Sequence, residues 1–174
     1  MGVAGYSEIA RILGLNSVAE RYADIAKKMA MKWEEMANEG DHYRLAFDRE
    51  NTWSQKYNMI WDKMWSLNLF SNNVISKEVN YYLMKQNPYG LPLDSRKEYT
   101  KSDWIMWIAA MSPDLETFKK FIDPLYKYIN ETTSRVPISD WHDTKTGKMT
   151  GFKARSVIGG YWMKVLINKV QNKQ

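Results

Sequence analysis

Two stretches of the sequence bring acidic and basic side chains close together. The first holds two carboxylates and three polar partners within a few residues: Asp94, Arg96, Tyr99, Lys101 and Asp103. Two carboxylates can share general acid and base work where burial separates their pKa values. We predict that Asp94 is catalytic and that Arg96, Tyr99 and Lys101 contact the substrate. Asp94 can instead close a turn, and we interpret Asp103 first as a helix cap, with direct chemistry as the alternative.

The second stretch carries Asp140 and Asp143 on either side of Trp141 and His142, followed by Arg155. An arginine at a loop mouth can bind a substrate carboxylate with two parallel hydrogen bonds. We predict that Asp140 is catalytic and that Arg155 and Trp141 bind substrate. Asp143 begins a run typical of an Asx turn, which is its simpler interpretation.

Other kinds of chemistry find little support in the sequence. The chain has no cysteine, which excludes thiol nucleophiles and thiolate metal sites. His42 and His142 are far apart and have no metal-ligand spacing, so we predict that they are packing or surface residues and that the chain has no metal site. No serine stands in a nucleophile-elbow context, and we expect no cofactor.

Helical periodicity predicts the elements that carry these residues. Apolar stripes indicate seven helices, at about 3–13, 17–38, 57–68, 74–86, 102–111, 113–130 and 155–170. The connections are alternately short and long. In an antiparallel array of helix hairpins, the three long loops therefore lie at one end. Five tryptophans fall within the stripes and are predicted to be core residues: Trp33, Trp61, Trp65, Trp107 and Trp162. Trp53, Trp104 and Trp141 lie in or beside the loops, where stacking on a ligand is an alternative, and we include Trp53 among the predicted substrate contacts.

The long loops also repeat. Asp48, Asp94 and Asp140 stand 46 residues apart, since 94 − 48 = 46 and 140 − 94 = 46. Each is followed by an aromatic residue, a lysine and a helix. A hairpin repeat of this length with elaborate loops on one side favours a toroid or solenoid.

Composition and charge limit the classes of protein to which the chain can belong. The 174 residues fit a single domain, 44% of them are hydrophobic, and the net charge of +5 comes from interleaved acids and bases. Because the basic residues form no patch, we expect no nucleic-acid partner. No segment has the length of a membrane span, and the first fifteen residues do not resemble a signal peptide.

Several long blocks in the right order resemble the helical domain of the bacterial and fungal glutaminase A family. They are WDKMWSLNLF at 61–70, YGLPLDSRKEYTKSDW at 89–104, IDPLYKYINET at 122–132, SRVPISDWHDTKTG at 134–147 and GFKARSVIGG at 151–160. The resemblance implies an all-α fold of six hairpins, an (α/α)6 toroid related to glycoside hydrolase domains. It also implies a larger secreted, periplasmic or cell-envelope parent with a β-rich region upstream.

Seven helices cannot close a twelve-helix toroid, so we interpret residues 1–174 as one helical domain fragment from the C-terminal portion of that toroid. We expect exposed apolar flanks and self-association of the fragment. The resemblance implies that the parent hydrolyses L-glutamine to L-glutamate and ammonia, while the fragment itself can be inactive. A glycoside hydrolase of the toroid type and a non-catalytic binding module are the alternatives.

Overall fold

The structure is a computed structural model that describes residues 1–172. Within that range the chain is mostly helical, and its helices follow one another as hairpins. The α-helices are α1 (Gly2–Ile12), α2 (Asn16–Ala37), α3 (Ile60–Trp65), α4 (Asn72–Lys85), α5 (Ser102–Ala110), α6 (Leu115–Glu131) and α7 (Met163–Gln171). Two short 3-10 helices, Tyr57–Met59 and Ser156–Trp162, lead directly into α3 and α7.

The mostly helical fold also contains a small antiparallel sheet that was not predicted. Its strands are β1 (Tyr99–Lys101) and β2 (Trp141–Asp143), in the second and third long loops. Thr100 lies opposite His142 in the register, and both are fully buried. Buried backbone groups need hydrogen-bond partners, and the two loops supply them to each other.

Two helices differ from their predicted bounds. Helix α3 ends at Trp65 because Ser66 adopts a left-handed conformation, φ 52°. The buried Asp62 carboxylate then accepts hydrogen bonds from the amides of Leu69 and Phe70, both at 3.0 Å, and so holds the chain in a turn. The predicted seventh helix begins as the 3-10 helix Ser156–Trp162, where two adjacent glycines weaken α-helix formation.

Helix α5 is the centre of the core. It packs against α3, α6 and α7, and most of its side chains are buried. Three of the five tryptophans predicted as core residues, Trp33, Trp61 and Trp107, pack against this core. The prediction is wrong for Trp65 and Trp162, which are 50% and 70% exposed.

Helices α1 and α2 pack on each other mainly through alanines, and the Ser7 hydroxyl donates to the Ala19 carbonyl at 2.8 Å. Small side chains allow close approach, but they leave the larger apolar ones outside. The exposed set on these two helices and their connection is Tyr6, Ile9, Ile12, Leu13, Leu15, Met29, Met31 and Met36.

The long loops lie together, as the alternation of connections predicted. The Gln55 amide in the first loop donates to the Leu93 carbonyl in the second at 2.9 Å. The Thr144 amide in the third loop donates to the Glu98 carbonyl in the second at 2.8 Å. Backbone hydrogen bonds therefore join the three loops in series. None of the helices in the described part of the chain has the length and apolarity needed to cross a membrane.

Candidate active site

The centre of the candidate site is a buried carboxylate that contacts two cations. Asp140 stands just before β2 and is 1% exposed. Its Oδ2 accepts hydrogen bonds from Lys101 Nζ at 3.0 Å and from Arg155 Nη1 at 3.2 Å. Lys101 ends β1, whereas Arg155 immediately precedes the second 3-10 helix. The sheet register and the third loop thus bring together three residues that the sequence predicted for the site.

A second carboxylate, Asp103, lies in the first turn of α5 and is 4% exposed. The pKa of Asp103 is raised from 3.8 to about 6, mainly by burial. The negative charge of Asp140 contributes to the rise, while the backbone amide of Asp103, together with Lys101 and Arg155, opposes it. Asp103 is not the N-cap of α5, because the N-cap residue is Lys101 and no side chain caps this helix. Asp103 lies one position further in, in the first turn, where a negative charge interacts favourably with the helix dipole. A carboxyl group with this pKa exchanges protons readily near neutral pH.

Several buried polar atoms around these carboxylates have no hydrogen-bond partner within residues 1–172. Asp103 and Asp140 each leave Oδ1 unpaired, and Trp107 Nε1 nearby also has no partner. Burial raises the pKa of Tyr161, with Asp103 and Asp140 adding to the rise and the Ser102 hydroxyl opposing it. Unpaired polar groups gathered at one place are expected at a site that binds a polar ligand.

Aromatic rings surround the ionic cluster. Lys101 Nζ lies 4.4 Å from the centre of the Trp141 ring and 4.9 Å from that of Phe152. The Tyr57 and Trp104 rings stack beside Asp103, with centroids 4.1 Å apart. Trp141 therefore contacts Lys101 directly, while Tyr57 was not predicted for the site.

The other predicted site residues form a separate group. Asp94 is 5% exposed, and both of its oxygens contact the Arg96 guanidinium, at 2.9 Å from Nε and 2.7 Å from Nη2. Trp53 is buried in the core against Tyr81 and Tyr82 and does not present an open ring. Asp94, Arg96 and Trp53 line a polar cleft of about 430 Å³ that contains none of Lys101, Asp140 and Arg155. Tyr99 lies between the groups, with its ring edge-on to Trp141 at 5.4 Å.

Asp143 forms the predicted Asx turn, since its Oδ1 accepts from the amides of Lys145 at 3.0 Å and Thr146 at 2.8 Å. His142 is fully buried, stacks on Tyr128 at 3.5 Å between ring centroids, and donates from Nε2 to the Tyr89 carbonyl at 2.8 Å. Burial lowers the pKa of His142 from 6.5 to about 4, so the ring is neutral near pH 7. The prediction that His142 is a packing residue is confirmed.

His42 also packs. It is 7% exposed and stacks on Tyr81, with ring centroids 4.2 Å apart. Its Nδ1 lies 2.7 Å from a carboxylate oxygen of Asp41.

The backbone shows why the aspartate repeat misleads. The backbone amide of Gln55 donates to the backbone carbonyl of Leu93, and the backbone amide of Ser102 donates in the same way to the backbone carbonyl of Asp140. The structural offset is 102 − 55 = 47 and 140 − 93 = 47, one residue more than the offset between the aspartates. Asp140 therefore corresponds to Leu93 in position. By the same offset, Asp94 corresponds in position to Trp141 and not to Asp140. Asp48, the first aspartate of the sequence repeat, is exposed.

The chain was compared with known proteins. A family model for the glutaminase A six helical-hairpin domain matches residues 1–165. The chain belongs to the glutaminase A family. It is 30% identical to glutaminase A of Aspergillus oryzae over 167 residues, which cover 92% of this chain and 24% of that protein. It is 27% identical to a probable glutaminase of Arthroderma benhamiae over 205 residues, covering 99% of this chain and 24% of the relative. The chain thus spans about a quarter of the length of these relatives.

Proposed function

We propose that this glutaminase A family chain contributes catalytic residues to an enzyme that hydrolyses the side-chain amide of L-glutamine to L-glutamate and ammonia. The names of its relatives support this substrate. The single observation that carries the proposal is Asp103, a buried carboxyl group with a pKa of about 6 beside unpaired polar atoms. Strongly perturbed carboxyl groups in such surroundings are typical of acid and base catalysts.

In the proposed reaction, ionised Asp103 takes a proton from a water molecule as the water oxygen bonds to the side-chain carbonyl carbon of glutamine. The resulting carboxylic acid then delivers that proton to the amide nitrogen. The carbon–nitrogen bond breaks, ammonia leaves, and the oxygen from water remains in the new carboxyl group. A pKa near 6 suits both steps, because the group is mostly ionised at pH 7 but holds a proton once it has received one.

Arg155 is the residue we propose for the α-carboxylate of glutamine. Its side chain is 40% exposed, and Nη1 contacts Asp140, which leaves the other guanidinium nitrogens to face a ligand. A guanidinium can bind a carboxylate through two parallel hydrogen bonds. Asp140 and Lys101 then act as positioning residues, because they fix the arginine from the buried side. This role differs from the catalytic one predicted for Asp140, and the assay below separates them.

The proposal extends to the architecture. We propose that residues 1–174 form part of an (α/α)6 toroid in which α3, α5 and α7 point their N-terminal ends toward the mouth. The contacts of α5 with α3 and α7 support this arrangement. The extracellular or cell-envelope location of the parent protein is part of the same proposal and rests on the family resemblance.

The test is ammonia release from L-glutamine by the natural polypeptide that carries this chain. Asp103→Asn is expected to lower kcat by about 10²- to 10⁴-fold, the usual contribution of a general acid–base catalyst. Arg155→Met is expected to raise KM more than it lowers kcat. Asp24→Asn, a change at an exposed ion pair on α2, is the matched control.

Asp140→Asn separates a positioning role, which mainly raises KM as Arg155→Met does, from a catalytic role, which lowers kcat as Asp103→Asn does. Asp94→Asn tests the remaining catalytic prediction in the same assay. Unchanged kinetics in Asp103→Asn would refute the assignment. Turnover of oligosaccharides without turnover of glutamine would refute the proposed reaction.

A further inference from the structure

We propose that Tyr57 and Trp104 form an aromatic platform that binds the ammonium group of an α-amino acid. The inference rests on the proposed function, because it assigns the part of the glutamine molecule that Asp103 and Arg155 leave unbound. It predicts selection for amino acids over amides and carboxylates that lack an ammonium group.

The geometry of the pair is that of a preformed surface. The two rings stack with an interplanar angle of 10° and centroids 4.1 Å apart. Tyr57 begins the first 3-10 helix and Trp104 lies in the first turn of α5, so two separate elements hold the platform. Trp107 contacts Tyr57 at 6.0 Å and 64°, which fixes the tyrosine from a second side.

The platform is accessible. Both rings are only half-buried, although most of the other side chains of α5 are buried. Tyr57 also lines an apolar cleft of about 510 Å³ between α2 and the segment that leads into α3, to which Trp104 and Asp103 do not contribute. Within residues 1–172, Trp104 has no aromatic partner besides Tyr57. One face of the stack can therefore receive a ligand.

Charge favours a cation at this surface. Aromatic faces attract ammonium groups through their quadrupole, most strongly where water is excluded. Asp103 precedes Trp104 in the chain, and its negative charge adds to burial in raising the pKa of Tyr57. A positive group at the platform therefore lies near both a ring face and a carboxylate.

Neighbouring aromatic residues show the same preference with the protein's own cations. Lys101 lies 4.4 Å from the centre of the Trp141 ring, and the Arg155 guanidinium lies 4.8 Å from that of Phe152. In the part of the chain that the structure describes, no lysine or arginine lies over Tyr57 or Trp104. The platform is the aromatic surface beside Asp103 that the protein does not fill with its own side chains.

The test measures binding rather than turnover, using two probes that the proposed reaction does not consume. L-Glutamate carries the ammonium group, whereas glutarate has the same two carboxylates without it. Calorimetric titration of the natural polypeptide is expected to show tighter binding of L-glutamate. Trp104→Leu is expected to weaken L-glutamate binding about 5- to 30-fold, the range of a desolvated cation–π contact, and to change glutarate binding by less than about 2-fold.

Trp104→Phe keeps an aromatic face and is expected to retain most of the affinity. Trp65→Leu is the matched control, because Trp65 is a 50% exposed tryptophan at the C-terminal end of α3, whereas Tyr57 lies just before its N-terminal end. Circular dichroism melting verifies that each variant folds. If Trp104→Leu does not fold, Tyr57→Leu removes the other ring of the pair and is expected to weaken L-glutamate binding selectively.

Equal loss of both probes in Trp104→Leu, no loss of either, or failure of the unaltered protein to bind L-glutamate would overturn the platform. Binding of cellotriose that depends on Trp104, with no binding of L-glutamate, would assign the rings to sugar stacking instead. A Trp104-dependent preference for L-glutamate in a protein that releases no ammonia from glutamine would uphold the platform and refute the proposed reaction. Glutamine hydrolysis without that preference would do the reverse.

Discussion

Replacing Asp103 with asparagine is expected to change how the stability of the fold depends on pH. The pKa of this carboxyl group rises from 3.8 in the unfolded chain to about 6 in the folded one, mainly through burial. Between these values the folded state binds more protons than the unfolded state, so the free energy of unfolding falls as pH rises. The difference of about 2 pKa units corresponds to roughly 3 kcal/mol. That stability is present below about pH 4 and is lost by about pH 7.

His142 opposes this trend in the same pH window. Burial lowers its pKa from 6.5 to about 4, so the unfolded state binds more protons over that interval. The contribution of His142 is therefore present above pH 6.5 and is lost, by roughly 3 kcal/mol, as pH falls toward 4. In the unaltered protein the two contributions largely cancel. Asp103→Asn removes one of them and leaves the acid-side loss of stability due to His142.

The assay is urea denaturation followed by tryptophan fluorescence at several pH values from 4.5 to 7.5. The unfolding free energy of Asp103→Asn, minus that of the unaltered protein, is expected to increase by about 2 kcal/mol from the acidic to the neutral end, because part of the effect already lies below pH 4.5. Asp24→Asn is the control, because Asp24 is an exposed carboxylate on α2, and its difference curve should be nearly flat. A flat difference curve for Asp103→Asn would refute the claim that burial raises this pKa.

Four further predictions concern His142, Lys101, Gly151 and the exposed side chains of α1 and α2. His142→Gln keeps a donor for the Tyr89 carbonyl but removes the titrating ring. The unfolding free energy of this variant, minus that of the unaltered protein, should fall by roughly 3 kcal/mol from pH 4.5 to 7.5 in urea denaturation. A difference that does not change with pH would contradict the lowered pKa of the histidine. Lys101→Met removes one cation from buried Asp140 and should lower the free energy of unfolding, measured by urea denaturation, by about 3 kcal/mol. Lys28→Met, at an exposed ion pair, should lower it by less than about 1 kcal/mol. Similar losses in the two variants would contradict a desolvated pair at Asp140. Gly151→Ala would place a methyl group 2.4 Å from the Trp141 ring and should destabilise by about 1–3 kcal/mol, while Gly159→Ala has open space and should lower the melting temperature little, if at all. The exposed apolar side chains of α1 and α2 predict that the 174-residue chain self-associates as its concentration rises, as measured by light scattering. The substitutions Ile9→Ser and Ile12→Ser should reduce this association. A monomer at high concentration would contradict the prediction.

The helices could be predicted because their signals are local. Apolar side chains at helical spacing located every α-helix, and polar residues such as Ser71 and Asp114 marked N-termini, where each accepts a backbone hydrogen bond. The ends of α3 and the start of α7 were harder to predict. They depend on Asp62 binding distant amides and on two glycines favouring a 3-10 helix, and neither effect changes the periodicity.

The candidate site could be predicted only in part. Asp140, Lys101 and Arg155 were identified because charged residues in long loops beside helix N-termini are good candidates for chemistry. Whether Asp103 caps α5 or faces the site depends on burial, which sequence spacing does not reveal. Nothing in the sequence indicates that Tyr57 meets Trp104, because 47 residues separate them in the chain.

The two aspartates predicted as catalytic show how a sequence repeat can differ from a structural one. Asp94 and Asp140 match at an offset of 46, but the hydrogen bonds that join neighbouring loops repeat at 47. In a strand-like segment, a shift of one residue turns a side chain to the opposite face. Asp140 therefore lies with Lys101 and Arg155, whereas Asp94 folds back onto Arg96 in its own loop. If each loop of the array carries this shift independently, chemistry must be assigned loop by loop from the backbone pairing and not from the aligned aspartates.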